Sequence, residues 1–463
     1  LPPLSPFRRW LALIVLLAGA FLPPVDFFIV NVTMPSIHAS LGATPAELQL
    51  VISGYAAAYA TFLITGGRLG DLFGRRGMFL LGMAGFTAAN LLCGLAQTPL
   101  HLLLGRLVQG MAAAVLVPQV LGSIRALCED ERELARALSA YGVMMGLAAA
   151  IGQFAGGALV QWSPFGWSWR TVFLLKLPLC LAILAAGWGL VPRTGGTNDA
   201  KLDLPGAGLI SLTLACVILP LAEGRDQHWP AWIFIPLACA PLLIAAFLWH
   251  EARLAARGGM PLVDLSLFRI PGFRRGVLIG TLFFFTTSFY FLFGLYQQEG
   301  RGADPFHTGL AIMPYGAGLF LGPIASGPFM RFASRLLSIG MAIQVTGYFA
   351  IGVFVAWGLS VPAVTIAVLI AGFGQGIAFP RLYNTVLSDV PPAQAGLAAG
   401  VLNSALQIGT AISLAVIGGF FFTTLGDQHT ERGYAHAFAL AQYTLSTALF
   451  VAMLISIPPK RRA

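Results

Sequence analysis

Gly67-Arg68-Leu69-Gly70-Asp71-Leu72-Phe73-Gly74-Arg75-Arg76-Gly77 is a charged, glycine-rich turn set between two long apolar runs. One carboxylate and three guanidiniums between membrane-length segments belong at a water interface, and arginines mark that interface as cytoplasmic. The flanking runs, 48–69 and 78–96, are each close to the roughly 20 apolar residues that cross a ~30 Å hydrocarbon core. The same rule applied outward along the chain predicts about fourteen spans. Six precede position 194: 10–32, 48–69, 78–96, 100–126, 137–160 and 169–191. Two follow at 205–222 and 232–254, and six more at 277–297, 307–329, 336–358, 363–386, 395–422 and 435–457.

Composition points the same way. Hydrophobic residues are 57% of the chain, charged residues 10%, and the mean hydropathy is +0.81. A soluble domain carries about 25% charged residues, so the expectation is an all-α integral membrane protein. The net charge of +9 does not imply a nucleic-acid partner, because the bases recur between apolar runs instead of clustering. Arg8, Arg9, Arg75, Arg76, Arg125, Arg132, Arg136, Arg193, Lys201, Arg253, Arg257 and Arg269 fall on one side, as do Arg274, Arg275, Arg331, Arg335, Lys460, Arg461 and Arg462. The opposite loops hold chiefly Arg225, Arg301 and Arg432. That bias predicts both termini in the cytoplasm and an even number of spans in a plasma or inner membrane. The run after Arg8-Arg9 continues through Val30, too long for a signal peptide, and reads as a retained span.

Catalytic chemistry finds no support. Five cysteines without a C-x-x-C pair suggest neither a disulfide framework nor a zinc site. The seven histidines are scattered near span ends, so no metal is expected. Gly372-Phe373-Gly374-Gln375-Gly376 lies in an apolar span with no preceding strand and is not a dinucleotide loop. No G-x-x-x-x-G-K-[ST] occurs, so any active transport draws on an ion gradient, with no cofactor.

The opening stretch resembles the loop joining helices 2 and 3 of major facilitator superfamily transporters, G-x-L-x-D-x-x-G-R-[RK]. Other stretches resemble the fourteen-helix drug:proton antiporter branch of EmrB/QacA type. Val25-Asp26-Phe27-Phe28-Ile29-Val30-Asn31-Val32-Thr33-Met34-Pro35 is similar to L-D-x-T-I-V-N-V-A-L-P, and Arg106-Leu107-Val108-Gln109-Gly110 to R-x-x-Q-G. Trp169-Arg170-Thr171-Val172-Phe173 is similar to W-R-W-x-F. Glu251-Ala252-Arg253 with Pro261-Leu262-Val263-Asp264-Leu265-Ser266-Leu267-Phe268 resembles the connector E-x-R…P-L-x-D-L-x-L-F. The span-five motif G-P-x-x-G-G departs, reading Gly152-Gln153-Phe154-Ala155-Gly156-Gly157 without the proline, and Lys176 replaces the family's asparagine. A weak internal echo, 327–335 against 67–77 and 400–409 against 142–152, fits two related halves.

The resemblance implies the major facilitator fold: a six-helix half over 1–194, two extra central helices and a connector over 195–270, and a second half over 271–463. The central pair is expected to pack outside the cavity, which lies between the halves. In the family the opening loop is a conformational latch, carried here by Gly67, Gly70, Asp71, Gly74, Arg75 and Arg76. The implied activity is proton-coupled efflux of hydrophobic or amphipathic compounds. The alternatives are a dedicated exporter of one metabolite, lipid or siderophore-like compound, a proton symporter, or a membrane sensor that has lost transport. A monomer is expected, with adaptor partners open.

Ionisable residues inside spans are functional candidates by default. Asp26 lies about sixteen residues past Trp10, roughly 24 Å along the first helix, and Arg106 lies several residues inside span four. Both fall in the outer half and could meet, with Asp26 carrying the proton or forming a fixed ion pair. Lys176 is expected to snorkel toward the interface along its apolar stem, while Arg381 could face the cavity or headgroups. Span nine is crowded with rings, and Phe285, Phe289 and Tyr296 share a helical face. With Tyr290, they are candidates for holding flat, lipophilic molecules. Asn31, Gln109, Gln153, Tyr315, Asn403 and Gln407 are the candidate polar contacts of the substrate cavity.

Overall fold

The computed structural model describes residues 5–128, 131–192, 203–226, 230–259, 261–326, 333–391 and 394–457. The echo at 327–332 and the bases Arg193, Lys201, Arg331, Lys460, Arg461 and Arg462 lie outside those residues. The described chain is helical throughout, with no strand. The first half holds α1 Pro6–Leu41, α2 Pro45–Phe73, α3 Arg75–Gly94, α4 Pro99–Leu127, α5 Glu131–Trp162, α6 Thr171–Leu174 and α7 Leu177–Leu190. A central hairpin follows, α8 Leu204–Asp226 and α9 Ala231–Ala256. The second half holds α10 Pro271–Phe283, α11 Thr287–Leu295, α12 Pro305–Ser326, α13 Ala333–Ala356, α14 Val361–Leu387, α15 Ala395–Leu425 and α16 Glu431–Ser456.

Local chemistry sets the helix ends. Thr44 and Glu47 close a capping box on α2: the Glu47 amide donates to the Thr44 hydroxyl at 3.2 Å, and the Thr44 amide to the Glu47 carboxylate at 2.8 Å. Gly74, at φ 87°, makes the left-handed break between α2 and α3 that a side chain would resist. Two spans are broken internally. α6 and α7 are parted at Leu175 and Lys176, just before Pro178, and α10 and α11 are parted by a tight turn at Phe284–Thr286.

Twelve described helical stretches are long and apolar enough to cross a membrane. α2 and α5, of 29 and 32 residues, are also long enough, and the runs 48–65 and 143–160 within them carry no charged residue. Both pack at the joint between the halves, where a helix surface meets protein in place of lipid.

The packing repeats with two-fold logic. α2 packs on α4 and α5 on α1 in the first half, while α12 and α13 both pack on α14 in the second. Across the joint, α2 meets α15 and α5 meets α12, so the second span of each half meets the fifth of the other. α1 also touches α11 across it. The hairpin packs α8 onto α2 and α15, along one seam of that joint. Below it, an apolar cavity of about 290 Å³ is lined by residues including Thr61, Phe247, Phe268, Thr281 and Ser404.

The joint is closed at the end distal to the N-terminus of α1. Phe28 and Tyr290 meet edge-on across it at 4.8 Å, and Gln298 donates to the Val32 carbonyl at 2.8 Å. On the other side, Phe154 and Phe306 pack at 5.8 Å. Helices α5 and α12 approach there backbone to backbone: a Cβ on Gly157 would lie 2.1 Å from the Pro305 carbonyl oxygen.

Candidate functional site

A dry ionic cluster joins α1, α4 and the break between α6 and α7. Asp26, fully buried on α1, accepts from Arg106 Nη1 at 2.5 Å through one carboxylate oxygen. Its other oxygen accepts from Lys176 Nζ. Arg106, also fully buried, donates Nε to the Val51 carbonyl at 3.1 Å and Nη1 to Gln109 at 2.6 Å. Its guanidinium lies 4.2 Å from the Tyr55 ring centroid, where the ring face attracts a cation. Tyr55 in turn donates to the Pro23 carbonyl at 3.3 Å. Arg106 Nη2 and Gln109 Nε2 are buried without a hydrogen-bond partner.

The lysine corrects an expectation. Lys176 does not run out to the interface; it is 8% exposed and shares Asp26 with Arg106. The physical reason lies in the helix break at Leu175–Lys176, which turns the chain inward, and in a carboxylate close enough to balance the ammonium. Two cations thus face one anion in a low-dielectric interior. Desolvating such charges costs several kcal/mol per ion and is offset only by close pairing.

The remaining candidates divide by depth. Asn31, Gln109, Gln153, Phe289, Tyr290, Tyr296 and Tyr315 are all buried. Those near the distal end owe this to the closed joint. Phe285, Arg381, Asn403 and Gln407 keep partial exposure. They sit at or below the middle of their helices, toward the N-terminal end of α1. Asn403 accepts from the Tyr383 hydroxyl at 2.6 Å. The crowded span faces protein on every side, since each residue from Thr287 to Tyr296 is buried. Tyr296 stacks on Phe438 of α16 at 4.8 Å and Phe289 packs on the same ring at 6.4 Å. Tyr290 is the ring that reaches across the joint.

Tyr315, one of the candidate polar contacts, belongs to a network in the second half that sequence reasoning did not assemble. Gln344 Nε2 donates to Thr286 at 2.8 Å, and Thr286 donates to the Tyr348 hydroxyl at 3.0 Å. The Tyr348 and Tyr315 hydroxyls lie 2.7 Å apart, and Tyr315 donates to Gln375. All but Gln375 are buried. Tyr348→Phe would leave two hydroxyls in a dry interior without that partner, at about 1–3 kcal/mol. A lowered midpoint of thermal unfolding in detergent micelles is the expected result, and an unchanged midpoint would refute the network's structural weight.

The glycine-rich motif bonds main-chain carbonyls. Arg75 donates to Gly122 on α4, Arg76 to Trp188 on α7, and Arg68 to Pro261 in the connector. The guanidinium of Arg76 also lies 5.6 Å from the Trp188 ring. Gly70 lets α2 approach α4, since a Cβ there would overlap the Gln119 side chain at 1.8 Å. Gly67 sits beside Pro118. The side chain of Asp71 lies outside what the structure describes.

Comparison with known proteins identifies the family. The sequence profile of the Major Facilitator Superfamily matches residues 16–414. The chain is 35% identical to a probable actinorhodin transporter of Streptomyces coelicolor, covering 93% of this chain and 75% of that protein. It is 31% identical to the puromycin resistance protein pur8 of Streptomyces alboniger, covering 97% and 90%. Identity is 32% to the cephamycin export protein CmcT of Amycolatopsis lactamdurans, covering 88% and 84%. Among solved structures, the human organic anion transporter MFSD10 aligns over 98% of this chain and 100% of its own, with TM-score 0.63 and 17% identity. A POT family transporter in complex with 5-aminolevulinic acid aligns over 95% of each chain, with TM-score 0.68 and 16% identity. At such identities the structural likeness speaks for the fold alone. With the profile spanning most of the chain, the protein belongs to the major facilitator superfamily and is a multi-pass membrane transporter.

Proposed function

We propose that the protein exports a hydrophobic or amphipathic compound in exchange for protons, with Asp26 as the group that carries the proton. The observation that carries this reading is the pairing of a buried membrane acid with two cations on three different helices. A proton on either Asp26 oxygen competes directly with Arg106 or Lys176 for that oxygen. Protonation and the packing of α1 against α4 and α7 are therefore coupled. The antibiotic export and resistance names of the relatives support the direction of transport and a small-molecule cargo.

The architecture proposed with it has fourteen spans, α2 and α5 included, in halves at 1–194 and 271–463 around a central segment at 195–270. Both termini face the cytoplasm of a cell membrane, and the chain works as a monomer. The closed distal joint is then the inward-facing arrangement, and the 67–77 turn latches the opposite state. Cargo reaches the half-exposed level of Phe285, Arg381, Asn403 and Gln407 before the enclosed rings above it.

A dedicated exporter is the second reading, favoured because several relatives are named for one compound each. Purified protein in proteoliposomes tests both. Uptake of a lipophilic antibiotic into vesicles that are acidic inside should collapse when an ionophore dissipates the pH gradient. Uptake indifferent to the gradient refutes proton coupling. Transport of one compound out of a varied panel would select the dedicated reading.

A further inference from the structure

Far from the ionic cluster, two buried carboxylates face each other where the central hairpin begins and ends. Asp203 precedes α8 and is 4% exposed; Glu251, near the end of α9, is fully buried. One oxygen of each is engaged. Asp203 Oδ1 accepts from the Gly206 amide at 2.9 Å and lies 2.7 Å from His250 Nε2. Glu251 Oε2 accepts from the Val263 amide of the connector at 2.7 Å. The other oxygens, Asp203 Oδ2 and Glu251 Oε1, are buried without a donor. They converge on one point, for a Cβ on Gly206 would lie 2.3 Å from the first and 2.6 Å from the second.

Two bare carboxylate oxygens so placed in a dry pocket do not both stay charged, since like charges sharing a site force one to keep its proton. A divalent cation is the other way to neutralise them. The donor atoms of Asp203, His250 and Glu251 do lie within 4.8 Å of one another. Yet His250 Nε2 is already spent on Asp203, which leaves two converging oxygens where zinc takes four ligands and calcium six to eight. Arg68 of α2 adds a positive charge facing Glu251 and donates to Pro261 beside it, which further disfavours a cation. Among the described residues, His250 and Arg68 are the charged or titratable groups that face the pair.

We propose that Asp203 and Glu251 form a one-proton site, separate from Asp26, that fastens the α8–α9 hairpin to the connector. Glu251 Oε1 keeps the proton and donates it to Asp203 Oδ2. Burial pushes the Asp203 carboxyl up, but the hydrogen bonds from Glu251, the Gly206 amide and His250 outweigh it and hold the group below the usual carboxylate range. Asp203 is thus the anion of the pair. The connector, when fastened to the hairpin, holds a proton that is released when it detaches, so raising the pH favours detachment. The consequence reaches α2, because the connector that Glu251 holds through Val263 also holds Arg68.

Hydrogen exchange on the full chain in lipid nanodiscs tests this. Protection of the connector amides 262–270, corrected for intrinsic exchange, should fall with rising pH by up to tenfold per unit, the slope of one proton. Glu251→Gln, whose amide donates to Asp203 at every pH, should flatten that slope, and Asp26→Asn should leave it intact. Infrared spectra at neutral pH should show a protonated-carboxyl C=O stretch that Glu251→Gln removes. A slope shared by the wild type and Glu251→Gln, or no lost carboxyl band, overturns the proposal. Saturable zinc or manganese binding abolished by Glu251→Gln would overturn it as well, in favour of a metal.

Discussion

Asp26→Asn should reduce gradient-driven efflux to background while cargo still binds. An amide cannot take up or release a proton, so the exchange loses its ion. The substitution also leaves Arg106 and Lys176 facing each other without an anion, and breaking a buried pair in this way costs about 3–5 kcal/mol. A fall in thermal stability should therefore accompany the loss, and it must be separated from it. Lys176→Met does so. With Asp26 present it leaves a one-to-one pair with Arg106, which should preserve export. In Asp26→Asn with Lys176→Met, one cation remains, already held by Gln109, the Val51 carbonyl and the Tyr55 ring. That double variant should regain much of the stability and none of the coupled transport. The carrier assignment fails if it concentrates cargo against a gradient.

Lys176 marks where the sequence stopped being informative. Asp26 and Arg106 were legible as partners because each sits at a countable depth in a regular helix. The depth of Lys176 was equally countable, but its direction was not, since that depends on the break between α6 and α7. Pro178 was the available signal. The same limit hid the Gln344–Thr286–Tyr348–Tyr315 network: Tyr315 was legible as a polar contact by itself, but its partners become neighbours only when three helices bring them together. Asp203 and Glu251 are separated by the whole hairpin, and only its closure makes them neighbours. By contrast, the glycine-rich turn, the long apolar runs and the connector were readable because their chemistry is local. The span count rests on local runs of the same kind, for 48–65 and 143–160, within α2 and α5, carry no charged residue.

Gly157→Val should shift the protein away from its distally closed arrangement and cut export by roughly five- to a hundredfold. On α5 the adjacent glycines Gly156 and Gly157 face different partners. A Cβ on Gly156 would lie 2.7 Å from the Ile29 carbonyl oxygen of α1, and one on Gly157 2.1 Å from that of Pro305 on α12. These obstacles are backbone atoms, so no rotamer change relieves them and the helices must part. Overpacking of this kind costs about 1–3 kcal/mol. With 1.4 kcal/mol per factor of ten, the closed population falls by roughly five- to a hundredfold. Because the strain is confined to one state, the protein should fold while its distal residues open. Exchange of the amides around Asn31 and Phe306 should rise, and efflux should fall in proportion. Gly189→Val is the control, as a Cβ there meets nothing within 4 Å. If Gly157→Val exports at the wild-type rate with unchanged exchange, closure at α5 and α12 is not a step of the transport cycle.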